Sequence, residues 1–81
     1  MTESQYQSKI MKEYEADGWY VLKLITTNKN GIPDLLALKK GMVPQFIEVK
    51  GAKGKTSALQ DYRIKELKKN GFKAEVRTAS S

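Results

Sequence analysis

The sequence predicts a three-layer α/β domain with the order α-β-β-β-α-β, a mixed four-stranded sheet carrying a helix on each face. Three observations lead there. Apolar residues recur at helical spacing near the N-terminus and again after residue 57. Four short aromatic, β-branched or alternating segments lie between and beyond them, punctuated by Gly, Pro and Asn. One of these, Leu35-Leu36-Ala37-Leu38, is apolar on both sides and needs cover on both. A three-strand meander followed by a helical crossover to a fourth strand satisfies all three.

Each element has its own signal. Tyr6, Ile10, Met11 and Tyr14 form a helical stripe that starts at Thr2 or Ser4, runs to Asp17 and stops at Gly18. Trp19 to Leu24 reads as a strand, and Thr26 to Gly31 as a polar turn. Pro33 opens a second strand, Asp34 to Lys39. The segment Lys40 to Val43 turns the chain into a third, Gln45 to Lys50. Gly51 to Lys55 is a flexible basic loop. Ser57 caps a helix reaching Lys69, with Leu59, Tyr62, Arg63 and Leu67 as its inward stripe and Asn70-Gly71 as its end. Phe72, Ala74 and Val76 alternate with Lys73, Glu75 and Arg77 in a final strand. One domain spans 1–81, with 78–81 expected to fray.

Composition removes whole classes of chemistry. The 81 residues contain no His and no Cys. That excludes a disulfide framework, thiolate catalysis, imidazole acid–base work and zinc held by either ligand. Carboxylates, lysines, amides and hydroxyls remain, and with them only hard, oxygen-preferring metals. No apolar run is long enough for a membrane span, and the N-terminus lacks the pattern of a secretory leader. The expectation is a soluble protein of the cytoplasm, with no membrane partner. The charge is lopsided. Residues 1–38 carry four basic and five acidic side chains, whereas 39–81 carry eleven basic and four acidic. Such a half favours a polyanion, nucleic acid first. So small a chain buries only roughly 60–65% of its unfolded surface, which makes dimerisation a natural remedy.

The chemistry concentrates on the central hairpin. With Pro44 in the turn, Lys39 is expected to face Gln45, which sets Asp34 opposite Lys50 and Glu48 diagonally beside it. Strand alternation then projects Asp34, Glu48 and Lys50 from one face, beside Leu36, Leu38 and Phe46. Two carboxylates so close repel each other unless a cation lies between them, and Mg²⁺ suits one or two carboxylates plus phosphate oxygens. The plain alternative is a salt bridge between Lys50 and an acid. Gly51-Ala52-Lys53-Gly54-Lys55-Thr56 imitates a nucleotide-binding loop, but the position requiring its first Gly holds Val49. Lys53 and Lys55, before a helix, are better read as grips for DNA phosphates.

Gly31-Ile32-Pro33-Asp34, Ile47-Glu48-Val49-Lys50 and Ser57-Ala58-Leu59-Gln60 together resemble the PD-(D/E)xK nuclease superfamily. Within it the chain is most similar to small virus-type replication-repair nuclease (VRR-NUC) domains. The resemblance covers nearly the whole chain and implies a restriction-endonuclease-like fold. It implies Asp34 and Glu48 as metal ligands, with the Val49 carbonyl as a further one, and Lys50 as the group that orients or activates water. Glu3 matches an N-terminal acidic position that binds metal directly or through water. Gln60 would position Lys50 or the phosphate. Both have ordinary readings as well: Ser57-x-x-Gln60 is a capping box, and Glu3 is an acid favoured by a helix N-terminus.

The expected function is a Mg²⁺- or Mn²⁺-dependent DNA endonuclease, with Lys53, Lys55, Lys29 and Arg63 as DNA contacts. By resemblance it would act as a homodimer on branched DNA such as four-way (Holliday) junctions, in a phage or bacterial setting. The rivals are a non-catalytic basic DNA-binding module of the same fold and a nuclease subunit that needs a partner.

Overall fold

Two capping boxes set where the helices begin. In the computed structural model, which describes residues 1–80, the Thr2 side chain accepts from the Gln5 N–H while the Gln5 side chain accepts from the Thr2 N–H. Helix α1 follows over Glu3–Ala16. Ser57 and Gln60 make the same reciprocal pair ahead of α2, Ala58–Lys69. The strands are β1 Tyr20–Lys23, β2 Leu35–Leu38, β3 Gln45–Lys50 and β4 Lys73–Thr78. The order along the chain is the expected one. The first two strands are shorter at both ends than the sequence pattern suggested, although Leu24 still donates to the Asp34 carbonyl at 2.7 Å.

The sheet order is β1-β2-β3-β4. Its first two junctions are antiparallel and the third is parallel, with α2 as the crossover. Leu35, Ala37, Ile47 and Val49, all fully buried, form the face under α1 together with Ile10 and Trp19. Each large side chain in that set contributes roughly 1.5–3 kcal/mol of burial. On the opposite face α2 packs over β4, with Ile64 and Ala74 buried. The rest of that face, over β1 and β2, stays uncovered: Tyr20 is 67% and Leu22 38% exposed, beside half-buried Leu36, Leu38 and Phe46.

Three expectations change. The hairpin register is shifted by two residues: Ala37 and not Lys39 faces Gln45, and Leu35 faces Ile47. Lys39 lies beyond the ladder, and its ammonium donates to the Asp17 carbonyl at 2.6 Å, over the Trp19 ring. Its own carbonyl accepts from Met42 N–H across a turn with Gly41 at φ +78°. A slip of two preserves which face each side chain takes. Second, α2 turns Arg63 and Leu67 inward as expected, but Gln60 and Ile64 join them in place of Leu59 and Tyr62, which are 41% and 57% exposed. Third, the tail is tied down: Thr78 ends β4, and Ala79 is buried and donates to the Lys50 carbonyl at 3.0 Å. Ser81, the last residue of the expected frayed segment, lies outside the described residues.

Candidate active site

Asp34 stands one residue before β2, after the fully buried Pro33. Proline fixes its own φ and holds the preceding residue extended, so the chain enters the strand on a defined path. The Asp34 Oδ2 accepts the Val49 N–H at 3.0 Å. That bond runs across the mouth of the hairpin, and the corrected register places Asp34 level with Glu48 instead of Lys50. In an extended strand the N–H and C=O of one residue point the same way. The Val49 carbonyl therefore lies on the Asp34 side of β3.

Glu48 is 2% exposed, the one buried charged side chain among the described residues. Its Oε2 accepts from Gln60 Nε2 at 3.2 Å and pairs with Lys50 Nζ at 3.1 Å. Its Oε1 is buried without a hydrogen-bond partner among the described residues. Burial pushes the Glu48 carboxyl up from the usual glutamate range, and the negative charges of Asp34 and Glu3 add to the rise. Lys50 opposes it through its hydrogen bond and charge without cancelling it. An unsatisfied buried acceptor costs about 1–3 kcal/mol, more for a charged group. The sheet thus holds an acid in a setting that penalises its charge, with one oxygen left bare.

Gln60 fills the expected capping role and in addition bonds Glu48, where Lys50 or a phosphate was the expected partner. Its carbonyl oxygen accepts from the Ser57 N–H at 2.9 Å while its amide nitrogen donates to Glu48. Glu3 also reaches the site, but by a different route. Its Oε1 accepts from the Gly51 N–H at 3.3 Å, just past the end of β3. Glu3 does not complete a three-carboxylate ligand set, and no such cluster occurs among the described residues. The first turn of α1 delivers it to the backbone of the loop after Lys50, where it accepts the Gly51 peptide N–H.

The VRR-NUC family model matches residues 3–81. The chain belongs to the VRR-NUC family. A solved structure described as a VRR-NUC domain superposes with a TM-score of 0.81 at 28% identity, over 99% of this chain and 87% of that one. No curated protein matches the chain. The family is of nuclease type, and the α/β architecture agrees with that of the solved VRR-NUC domain.

Around the VRR-NUC site the predicted phosphate contacts divide. Lys53 and Lys55 are exposed in the loop after β3, and Lys29 is exposed in the loop before β2. Arg63 is not free in this way. Its Nε donates to the Asn30 carbonyl at 2.8 Å, its Nη1 pairs with Glu66 at 3.1 Å, and its side chain is only 16% exposed. Sequence reasoning missed this clamp, although the Arg63-x-x-Glu66 spacing was its signal. The Thr2–Gln5 capping box that launches Glu3 was missed as well. No helix among the described residues is long and apolar enough to cross a membrane.

Proposed function

We propose that this VRR-NUC protein is a divalent-cation-dependent endonuclease that hydrolyses phosphodiester bonds in DNA. The observation that carries the reading is the bare, buried Oε1 of Glu48 beside Asp34 and Lys50. One oxygen of each carboxylate is occupied by the fold, Asp34 Oδ2 by Val49 N–H and Glu48 Oε2 by Gln60 and Lys50. Those bonds fix the plane of each group and leave its other oxygen for a ligand. All-oxygen donors without His or Cys suit Mg²⁺ or Mn²⁺. Asp34, Glu48 and the Val49 carbonyl would hold the ion. When bound, it supplies Lewis-acid polarisation of the phosphate and a more acidic water.

The chain's own residues do the rest. Lys50 brings its ammonium to the edge of the site, where it offsets phosphate charge and orients the attacking water. Gln60 keeps Glu48 from rotating its bare oxygen away. Glu3 anchors the backbone at Gly51, so the loop bearing Lys53 and Lys55 leaves the site on a fixed path. These exposed lysines, with Lys29, grip phosphates flanking the scissile one.

We further propose a homodimer that acts on branched DNA. The uncovered half of the sheet, from Tyr20 and Leu22 to Phe46, is an apolar surface of the kind that marks an interface. A twofold pair supplies two sites for paired nicks. The test is a cation-titrated cleavage assay on four-way junction, flap, splayed and linear DNA. Wild type is compared with Asp34→Asn, Glu48→Gln and Lys50→Ala, and sedimentation is run alongside. Cutting requires Mg²⁺ or Mn²⁺, stops with EDTA and disappears in both acid variants. Undiminished cutting by Asp34→Asn or Glu48→Gln would overturn the site. A monomer at micromolar concentration would overturn the dimer.

A further inference from the structure

Resting on that nuclease reading, we propose that Arg63 is a positioning residue for Asp34, holding the chain that delivers the carboxylate instead of touching DNA. Two tethers pin the segment before Asp34 to α2. Arg63 Nε donates to the Asn30 carbonyl at 2.8 Å. The next residue, Gly31, lies against the helix at φ +79°, so close that a Cβ there would meet Leu59 Cγ at 2.7 Å. Three residues further on, Asp34 is fixed at its other end by the Leu24 and Val49 N–H groups. The short span from Asn30 to Asp34 is therefore held at both ends, with buried Pro33 stiffening it between them.

The guanidinium is itself held. Glu66 pairs with its Nη1 at 3.1 Å, and the Tyr62 ring lies 5.4 Å from its central carbon. Arg63 and Gln60 stand three residues apart on one helix face. One face of α2 thus controls both acids: Gln60 reaches Glu48 directly, and Arg63 reaches Asp34 through Asn30, Gly31, Ile32 and Pro33. Any shift of α2 moves the two carboxylates together. The planar fork suits the task because it donates to a carbonyl and a carboxylate at once, which a lysine ammonium does with less directional control.

The Val49 N–H is the reporter, since it donates to the Asp34 carboxylate without need of metal or DNA. In Arg63→Gln its amide exchange, followed by NMR in the protein alone, quickens by tenfold or more, while that of buried Ile47 holds. In the same variant kcat falls about 10- to 100-fold, the scale of a misplaced catalytic group. KM and the salt dependence of DNA binding do not move. Glu66→Gln shifts exchange and kcat in the same direction but less. The idea is overturned if Val49 exchange is unchanged. It is equally overturned if Arg63→Gln weakens DNA binding, lowers its log–log salt slope by about 1 and spares kcat, the signature of a phosphate contact. Tighter DNA binding by Glu66→Gln, from a released cation, would argue the same way. Should Arg63→Gln fail to fold, Arg63→Lys and Glu66→Gln carry the comparison. If the wild type cuts nothing, the nuclease reading fails, and Val49 exchange still decides the role of Arg63.

Discussion

Replacing Gly31 by alanine tests the packing that brings Asp34 to the sheet, and its cost can be built from two separable contributions. Gly31 has φ +79°, a left-handed conformation that costs an L-residue roughly 1–2 kcal/mol. An added Cβ would also stand 2.7 Å from Leu59 Cγ and 3.3 Å from the Leu59 backbone carbon. Leu59 must then leave its rotamer, at about 0.5–1.5 kcal/mol. Against both, the unfolded chain loses freedom worth about 0.4–1 kcal/mol. The net loss is about 0.5–3 kcal/mol. At about 4–8 °C per kcal/mol for a domain of this size, Tm falls by roughly 10 °C. Gly41 provides the control, since it has φ +78° with nothing within 4 Å of an added Cβ. Gly41→Ala incurs the backbone cost alone, and the gap between the two variants, about 0.5–1.5 kcal/mol, isolates the Leu59 contact. Thermal and urea unfolding of both variants and of Gly31→Ala/Leu59→Ala measure it. Equal losses at Gly31 and Gly41 would refute the contact. A Gly31→Ala protein as stable as wild type would refute the backbone conformation too.

Other predictions follow from the same geometry. Glu48→Gln abolishes cation binding, seen by calorimetry, yet raises Tm at neutral pH, because the fold penalises the charge it removes; a lower Tm would contradict that penalty. The pH dependence has a definite sign. With its folded pKa raised, Glu48 contributes stability present below the unfolded carboxyl value and lost as pH rises through the folded one. Cation affinity runs the other way, weakening on acidification at a pH above the usual glutamate range, and a midpoint at an ordinary carboxylate pH would count against the site. Gln60→Glu keeps the acceptor that caps α2 but loses the donor to Glu48, so cleavage drops about tenfold or more for the loss of one charge-assisted hydrogen bond of ~1.5–3 kcal/mol. Gln60→Leu also loses the reciprocal bond from the Ser57 N–H, at about 0.5–1.5 kcal/mol of stability, while the Ser57 side chain still caps the Gln60 backbone. Lys53→Gln/Lys55→Gln weakens DNA binding and reduces the salt slope by about 0.9 for each phosphate no longer neutralised, with the rate at saturating DNA unchanged. A slope equal to that of wild type would take both lysines off the DNA.

Much of the site could be read from spacing because strands alternate. Glu48 and Lys50 share a face wherever the hairpin pairs, and a two-residue error in register left Asp34 on that face. The element order was legible for a similar reason, since Gly18, Gly31, Gly41 and Gly71 mark turns that all adopt positive φ. The inward face of α2 was legible only in part. Arg63 and Leu67 face inward as expected, but Gln60 and Ile64 take the places expected for Leu59 and Tyr62, and Gln60 does so because the buried Glu48 needs a donor. A buried polar group can outweigh an exposed apolar one, and sequence does not reveal which groups will be buried.

Residue types and their periodicity therefore determined the α-β-β-β-α-β order, the exclusion of imidazole and thiol chemistry, and the common face of an acid and a lysine. Those depend on local geometry and on what each side chain can do. Tertiary packing decided that Asp34 lies level with Glu48, that Glu3 accepts from the Gly51 N–H, that Arg63 clamps a loop, and that one Glu48 oxygen is left bare. These depend on contacts between segments distant along the chain, set only when the sheet and both helices close on one another.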